Sequence, residues 1–293
     1  MTETTPRVAI CAIAKNESAY LEEWVAYHHI LGFDPIRIYS HEPTDDSDEV
    51  LERLAQKGLA EWVAWTAPAD KKPQWVAYED GLEKLRDRAD WIAFIDLDEF
   101  VVVPEHETIQ DFLADYGHLE AIAINWKMFG SSGLEKHEPG LVIERFTRCA
   151  KRSFSGNHAV KTLARVDAVE VPRVHTCHFR EGVTYQTVGG EVIPHMTGKS
   201  EVVTHNVIRL NHYFTRSREE WDNKAKRGRG AKPANHPLKH RQEHEFHNND
   251  RNEREEIDIL AYIPKVKAFM RDELGLTVAD AAAPAPATRA ADG

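Results

Sequence analysis

The sequence predicts an α/β protein, a mainly parallel sheet flanked by helices and followed by a less regular second half. Two observations carry this expectation. Short apolar runs of β-forming residues alternate with stretches of helical periodicity from Val8 to Trp126, the pattern of strands joined by crossover helices. The fourth run, Trp91-Ile-Ala-Phe-Ile95, ends in three carboxylates within four residues, Asp96-Leu-Asp98-Glu99. A buried strand that delivers acids to the carboxyl edge of a sheet delivers them to where α/β folds bind ligands.

Val8-Ala-Ile-Cys-Ala-Ile-Ala14 reads as a buried first strand that stops at Lys15-Asn16-Glu17-Ser18. Leu21, Trp24, Val25, His28 and Leu31 recur at helical spacing up to Gly32, a fitting residue just past a helix. Ile36 to Ser40 is the second strand, and Asp45-Asp46-Ser47-Asp48 offers N-cap residues for a helix ending near Gly58. Leu59 to Trp65 alternates as a third strand, and Trp75 to Leu85 is helical. Extended backbone after Ile95 would turn Asp96 and Asp98 the same way, with Leu97 behind them. Acidic solvation of a strand end, or a helix cap, reads the same residues without a ligand.

Thr108 and Asp111 form a candidate capping box for a helix over 109–113. Ala121 to Trp126 is a strand running into Met128-Phe-Gly-Ser-Ser-Gly133, a loop of small residues whose backbone can approach a ligand. Strands are expected at Val142 to Phe146, Lys161 to Val166, Val171 to Cys177 and Val207 to Phe214. The last is followed by a helix opening at Ser217, within a stretch over 216–241 that otherwise reads as a mobile basic loop, and a charged helix is expected over 253–274. The reading is one domain over 1–276, with halves of about 8–133 and 134–276, and a disordered Ala/Pro-rich tail over 277–293.

The 293 residues, 42% of them hydrophobic, suffice for a sizeable core. A net charge of -11 argues against general nucleic-acid binding. Cys11, Cys149 and Cys177 have neither the number nor the spacing of a disulfide framework or zinc site. No apolar run approaches the roughly 20 residues that span a bilayer, and the N-terminus does not read as a secretory signal. The expected location is cytoplasmic.

Four stretches in order, Cys11-Ala-Ile-Ala-Lys-Asn-Glu17, Asp96-Leu-Asp-Glu-Phe100, Asn125-Trp-Lys-Met-Phe-Gly-Ser-Ser-Gly133 and Asn211-His-Tyr213, resemble the family-2-like and family-92 glycosyltransferases. The resemblance runs from about Val8 to about Gly230. It implies a GT-A (Rossmann-like) fold with a nucleotide-binding first half and an acceptor-side second half. It also implies Mn²⁺ or Mg²⁺ and inverting transfer of a sugar from a nucleotide-sugar donor, UDP-sugars being favoured. The acceptor would be a glycan, a lipid-linked molecule or another hydroxyl compound in polysaccharide or glycoconjugate synthesis, which allows peripheral association with the inner face of a membrane.

By that resemblance Asp98 is the direct metal ligand, Asp96 a ribose or second metal contact, and His212 a third ligand, with His175 and His178 as rivals. Ala14, Lys15, Asn16 and Glu17 would meet the nucleoside, and Asp46 would join the base pocket unless it caps its helix. Gly130, Ser131 and Ser132 would bring backbone N–H groups to sugar or phosphate. Glu144 is the expected catalytic base, with Glu135, Glu138 and Asp167 as alternatives. Lys161 would contact phosphate or acceptor unless its strand is plain surface, and Arg227 and Arg229 would close over the diphosphate. His236, His240, His244 and His247 read as a solvated face. A non-catalytic nucleotide- or glycan-binding module and a metal-dependent phosphohydrolase are the competing functions.

Overall fold

The computed structural model describes residues 5–68, 70–194, 197–229 and 240–281. Its first half follows the expected alternation: β1 (Val8–Ala14), α1 (Ser18–Ile30), β2 (Phe33–His41), α2 (Ser47–Gln56), β3 (Glu61–Trp65), α3 (Pro73–Leu85), β4 (Trp91–Phe94), β5 (Glu99–Val102), α4 (Ile109–Tyr116) and β6 (Ala121–Met128). The Thr108–Asp111 capping box closes the first turn of α4. The second half holds α5 (Val142–Arg145), β7 (Arg148–Cys149), β8 (Val160–Arg165), β9 (Val169–Pro172), β10 (Cys177–Phe179), β11 (Tyr185–Gln186), β12 (Arg209–His212), α6 (Arg218–Arg227), α7 (Glu243–Asn249), β13 (Arg254–Glu255) and α8 (Ile263–Leu274).

The main sheet has the order β3-β2-β1-β4-β8-β6-β12-β5, with β11 alongside β6. Strands β3, β2, β1 and β4 pair in parallel, and so do β6 and β12. Only β8 and the edge strand β5 run against their neighbours. Because β8 is antiparallel to both β4 and β6, the carboxyl ends of β1, β2, β4, β6 and β12 share one edge.

Alternation along the strands buries both faces. Val8, Ile10 and Ala12 of β1 join Trp91 and Ala93 of β4 in one cluster with α1, α2 and α8. Ala9 and Cys11 join Ile92 and Phe94 in a second cluster under α3. At Gly81 of α3 an added Cβ would lie 2.4 Å from Cys11 Sγ, so only glycine lets α3 seat this close to β1. All three cysteines are free and buried.

Five expectations are corrected. Val142 to Phe146 is a single helical turn followed by a bend. The strand expected over 171–177 is a hairpin of β9 and β10. The first part of the basic stretch is α6, started by a capping box between Ser217 and Glu220; residues 230–239, His236 among them, lie outside the described residues. The charged helix is confined to α8, preceded by β13 and a 3₁₀ turn. Residues 277–281 pack on the body, with Val278 against the core and Asp280 2.6 Å from Lys267 Nζ, while 282–293 lie outside the described residues.

Candidate active site

At the shared carboxyl edge lies a cleft of about 280 Å³, with Ala14 and Lys15 after β1, His41 of β2, the Asp96-Leu97-Asp98 segment after β4 and His212 of β12 along its walls. Helix α6 covers it with Lys224 and Arg227. The acids do not sit on extended strand as the period-two argument assumed. The chain turns, with Glu99 N–H donating to the Asp96 carbonyl at 3.0 Å, and re-enters the sheet as β5.

That turn gives the three acids different surroundings. Asp96 accepts from Gln74 Nε2 at 2.7 Å and from Lys161 Nζ at 2.8 Å, so both its oxygens are engaged. Glu99 is fully buried, its Oε2 accepting from Asp96 N–H at 2.9 Å, and Lys161 Nζ lies 3.6 Å away. One ammonium thus faces two carboxylates. Burial, helped by the charges of Asp96 and Asp98 and opposed by Lys161, pushes the Glu99 carboxyl up to about 8. Lys161 is held above the ordinary lysine value because Asp96 and Glu99 outweigh its burial. Lys161 thus makes its short contact with Asp96, and Glu99 is its more distant, fully buried neighbour. Lys161 lies wholly beneath the acids, as a support for Asp96 and not on a surface strand.

Asp98 meets Lys224 Nζ at 2.5 Å on one oxygen and His212 Nε2 at 3.5 Å on the other. Burial raises its carboxyl, but the Lys224 ammonium prevails and holds it well below the usual carboxylate range. Burial pulls Lys224 down to about 8 despite Asp98, and pulls His212 below the usual histidine value. His212 lies against Trp126 with the rings tilted by 57° and their centroids 4.2 Å apart, and its buried Nδ1 has no hydrogen-bond partner.

The other expected residues divide. Ala14, Lys15 and Glu17 line the cleft. Glu17 is buried and tied to Arg216 at 3.2 Å and to Arg227, which also donates to the Lys15 and Asn16 carbonyls. These two guanidiniums outweigh the effect of burial and hold Glu17 below its ordinary value. Asn16, at φ 52°, exchanges hydrogen bonds of 2.8 Å with Thr44 and so braces the loop after β2. Asp46 is exposed at the start of α2 without a capping bond; Asp45 is the acid that fastens Ser47 and Ser18 there.

Gly130, Ser131 and Ser132 are not brought to the cleft. Their N–H groups donate to the Arg148 carbonyl, Asp250 Oδ1 and Asn252 Oδ1, and a Cβ on Gly130 would strike Asn252 and Arg251. The small residues serve close packing on 250–252, which takes the donors a ligand would need. Glu144 also lies elsewhere, its carboxylate 2.9 Å from Lys267 on α8. His175 lines the cleft, and burial lowers it to about 4. His178 lies on β10 beside a different cavity.

Among the described residues no three His, Cys, Asp or Glu side chains form a metal-binding group. The Asp96, Asp98, His212 triad is thus reduced to a pair, since Lys161 and Gln74 occupy Asp96. Asp98 and His212 still fit a divalent ion: a hard oxygen and an imidazole nitrogen face each other, and Mg²⁺-type sites use one or two carboxylates completed by water and phosphate oxygens.

These features define an α/β protein whose ligand cleft lies at the carboxyl ends of its strands, with acids in the turn after β4 and cations on a covering helix. The model of glycosyltransferase family 92 matches residues 7–243, and the chain belongs to that family. A family 92 protein of Oryza sativa subsp. japonica is 26% identical over 194 residues, covering 62% of this chain and 31% of that one. One of Ricinus communis is 26% identical over 190 residues, covering 62% and 33%. The chain thus spans about a third of the length of these relatives. Among solved structures, S. aureus TarS aligns at 14% identity over 55% of this chain and 29% of its own, with a TM-score of 0.37, a likeness too slight to argue from. No helix among the described residues is long and apolar enough to cross a membrane.

Proposed function

We propose that the chain transfers a sugar from a nucleoside-diphosphate donor, a UDP-sugar by preference, to an acceptor hydroxyl of a glycan or lipid-linked molecule, with a divalent ion. The observation that carries this reading is that Asp98, His212, Lys224 and Arg227 all line one cleft at the carboxyl edge of the sheet. Family membership supports the reaction class.

In this reading Ala14, Lys15 and His41 form the nucleoside wall. Asp96, fixed by Lys161 and Gln74, accepts from the ribose hydroxyls, while Asp98 and His212 hold the ion. When bound, Mn²⁺ or Mg²⁺ neutralises charge on the departing diphosphate. Lys224, once freed from Asp98 by the ion, and Arg227 line the same cleft and would stabilise that charge. Glu144, bonded to Lys267 outside the cleft, is not carried forward as the base. A phosphohydrolase of the D-x-D kind would carry the motif after its first strand, whereas here it follows β4.

The test is a panel of nucleotide sugars with Mn²⁺ or Mg²⁺, read by thermal stabilisation and by release of nucleoside diphosphate in the presence of acceptors. Stabilisation and release that vanish in Asp98→Asn support transfer. Binding without release with any acceptor indicates a binding module, and no response to any nucleotide sinks the reading.

A further inference from the structure

The cations around the cleft are matched to carboxylates with one exception on the covering side. Lys224 takes Asp98, Arg216 and Arg227 share Glu17, and Arg229 takes Glu245. Arg241 lines the same cleft, and among the described residues it makes no ion pair. Its Nε and Nη1 are shut off from solvent without a hydrogen-bond partner. Its guanidinium lies over the Phe214 ring, 5.6 Å from the centroid, as the nearest aromatic cushion. Burial and the charge of Arg227 pull it down to about 10, which leaves it charged at neutral pH.

A buried guanidinium with idle donors is costly to the folded protein, and the cost is removed by an anion that accepts from them. Arg227 and Lys224 bound the same space, so an anion there meets ammonium and guanidinium groups together, and a small turn of the Arg241 side chain would bring its enclosed donors to it. That arrangement suits phosphoryl oxygens, which take guanidinium bonds two at a time. A divalent ion bound at Asp98 would release Lys224 and leave a second unmatched cation, so the loaded cleft favours a ligand with two or more negative charges over one with a single charge.

We propose that Arg241 is the residue of the cleft lining that grips the diphosphate of the donor. The proposal rests on the transferase reading for the identity of the donor, but its ligand chemistry can be tested separately with inorganic pyrophosphate, UDP and uridine, each with Mn²⁺. Arg241→Met is expected to bind pyrophosphate and UDP about 10- to 100-fold more weakly, the usual size of a charged hydrogen bond, with uridine unchanged; Arg241→Lys is expected to fall between. Because the arginine is uncompensated without ligand, Arg241→Met should also melt no lower than the wild type in ligand-free buffer and gain less from pyrophosphate. A variant that melts lower yet binds pyrophosphate as the wild type does would make Arg241 structural and overturn the proposal. Failure of the wild type to bind UDP or uridine while pyrophosphate binding still depends on Arg241 would instead overturn the nucleotide-sugar reading and leave the anion site standing.

Discussion

Replacing Lys224 by Met isolates the balance of charge at the centre of the cleft. The ammonium is 6% exposed and lies 2.5 Å from Asp98 Oδ2 and 2.7 Å from the Phe214 carbonyl oxygen. Methionine fills similar volume but leaves the buried Asp98 carboxylate with His212, 3.5 Å away, as its remaining partner. Removing one partner of a buried pair costs about 3 kcal/mol. In a domain of this size that is a fall of about 6–12 °C in Tm, at about 2–4 °C per kcal/mol. A divalent ion on Asp98 replaces the missing charge, and at 100 times its Kd it returns about 2.7 kcal/mol. In the wild type the ion must first displace Lys224, so it stabilises less. Thermal melts with chelator and with saturating Mn²⁺ should show Lys224→Met well below the wild type without metal and near it with metal. Equal Mn²⁺ increments in both proteins, or equal melting in chelator, would refute the view that lysine and metal compete for one carboxylate.

Three further outcomes follow from the packing and the buried charges. Gly81→Ala places a methyl against Cys11 Sγ and should lower unfolding free energy by about 1–3 kcal/mol in urea titrations; an unchanged midpoint would mean α3 can lift without cost. Lys161→Met should cost about 3–5 kcal/mol by stranding Asp96, and adding Asp96→Asn should recover about 1 kcal/mol or more of it. Simple additivity would remove the ion pair from the account. His28 is buried with Nδ1 donating to the Trp24 carbonyl at 2.9 Å and Nε2 accepting from Val101 N–H at 3.3 Å, and burial lowers it from 6.5 to about 3. The unfolded chain therefore binds the extra proton, and stability present above pH 6.5 is lost as pH falls toward 3. Between pH 7 and 5 this site contributes a loss of about 2 kcal/mol, which urea titrations of His28→Phe should lack.

The sheet was legible because its central parallel strands are apolar on both faces: Val8 to Ala14 and Trp91 to Phe94 could be little else. The acidic turn was legible as a place, but the roles of its residues were not, since they depend on partners far away in sequence. Lys161 and Lys224 stand 65 and 126 residues from the acids they serve. A signal for α6 was present in the Ser217–Glu220 capping box, though the density of Lys and Arg suggested a solvated loop. The Gly130 loop misled for a different reason. Small residues permit any close approach, and here the approaching group is the chain itself at 250–252. Edge strand β5 was not read from the sequence, because it begins at Glu99, a carboxylate that is fully buried inside the sheet.

The central claim is that Asp98 and His212 hold a divalent ion beneath a nucleoside diphosphate in this cleft. Crystals grown with Mn²⁺ and UDP, measured at the manganese absorption edge, test it most directly. The account predicts one anomalous peak bonded to the Asp98 carboxylate and the His212 imidazole, with diphosphate oxygens completing its shell and Lys224 moved off Asp98. A nucleotide bound elsewhere, or manganese absent from Asp98 while Lys224 keeps its place there, would contradict it.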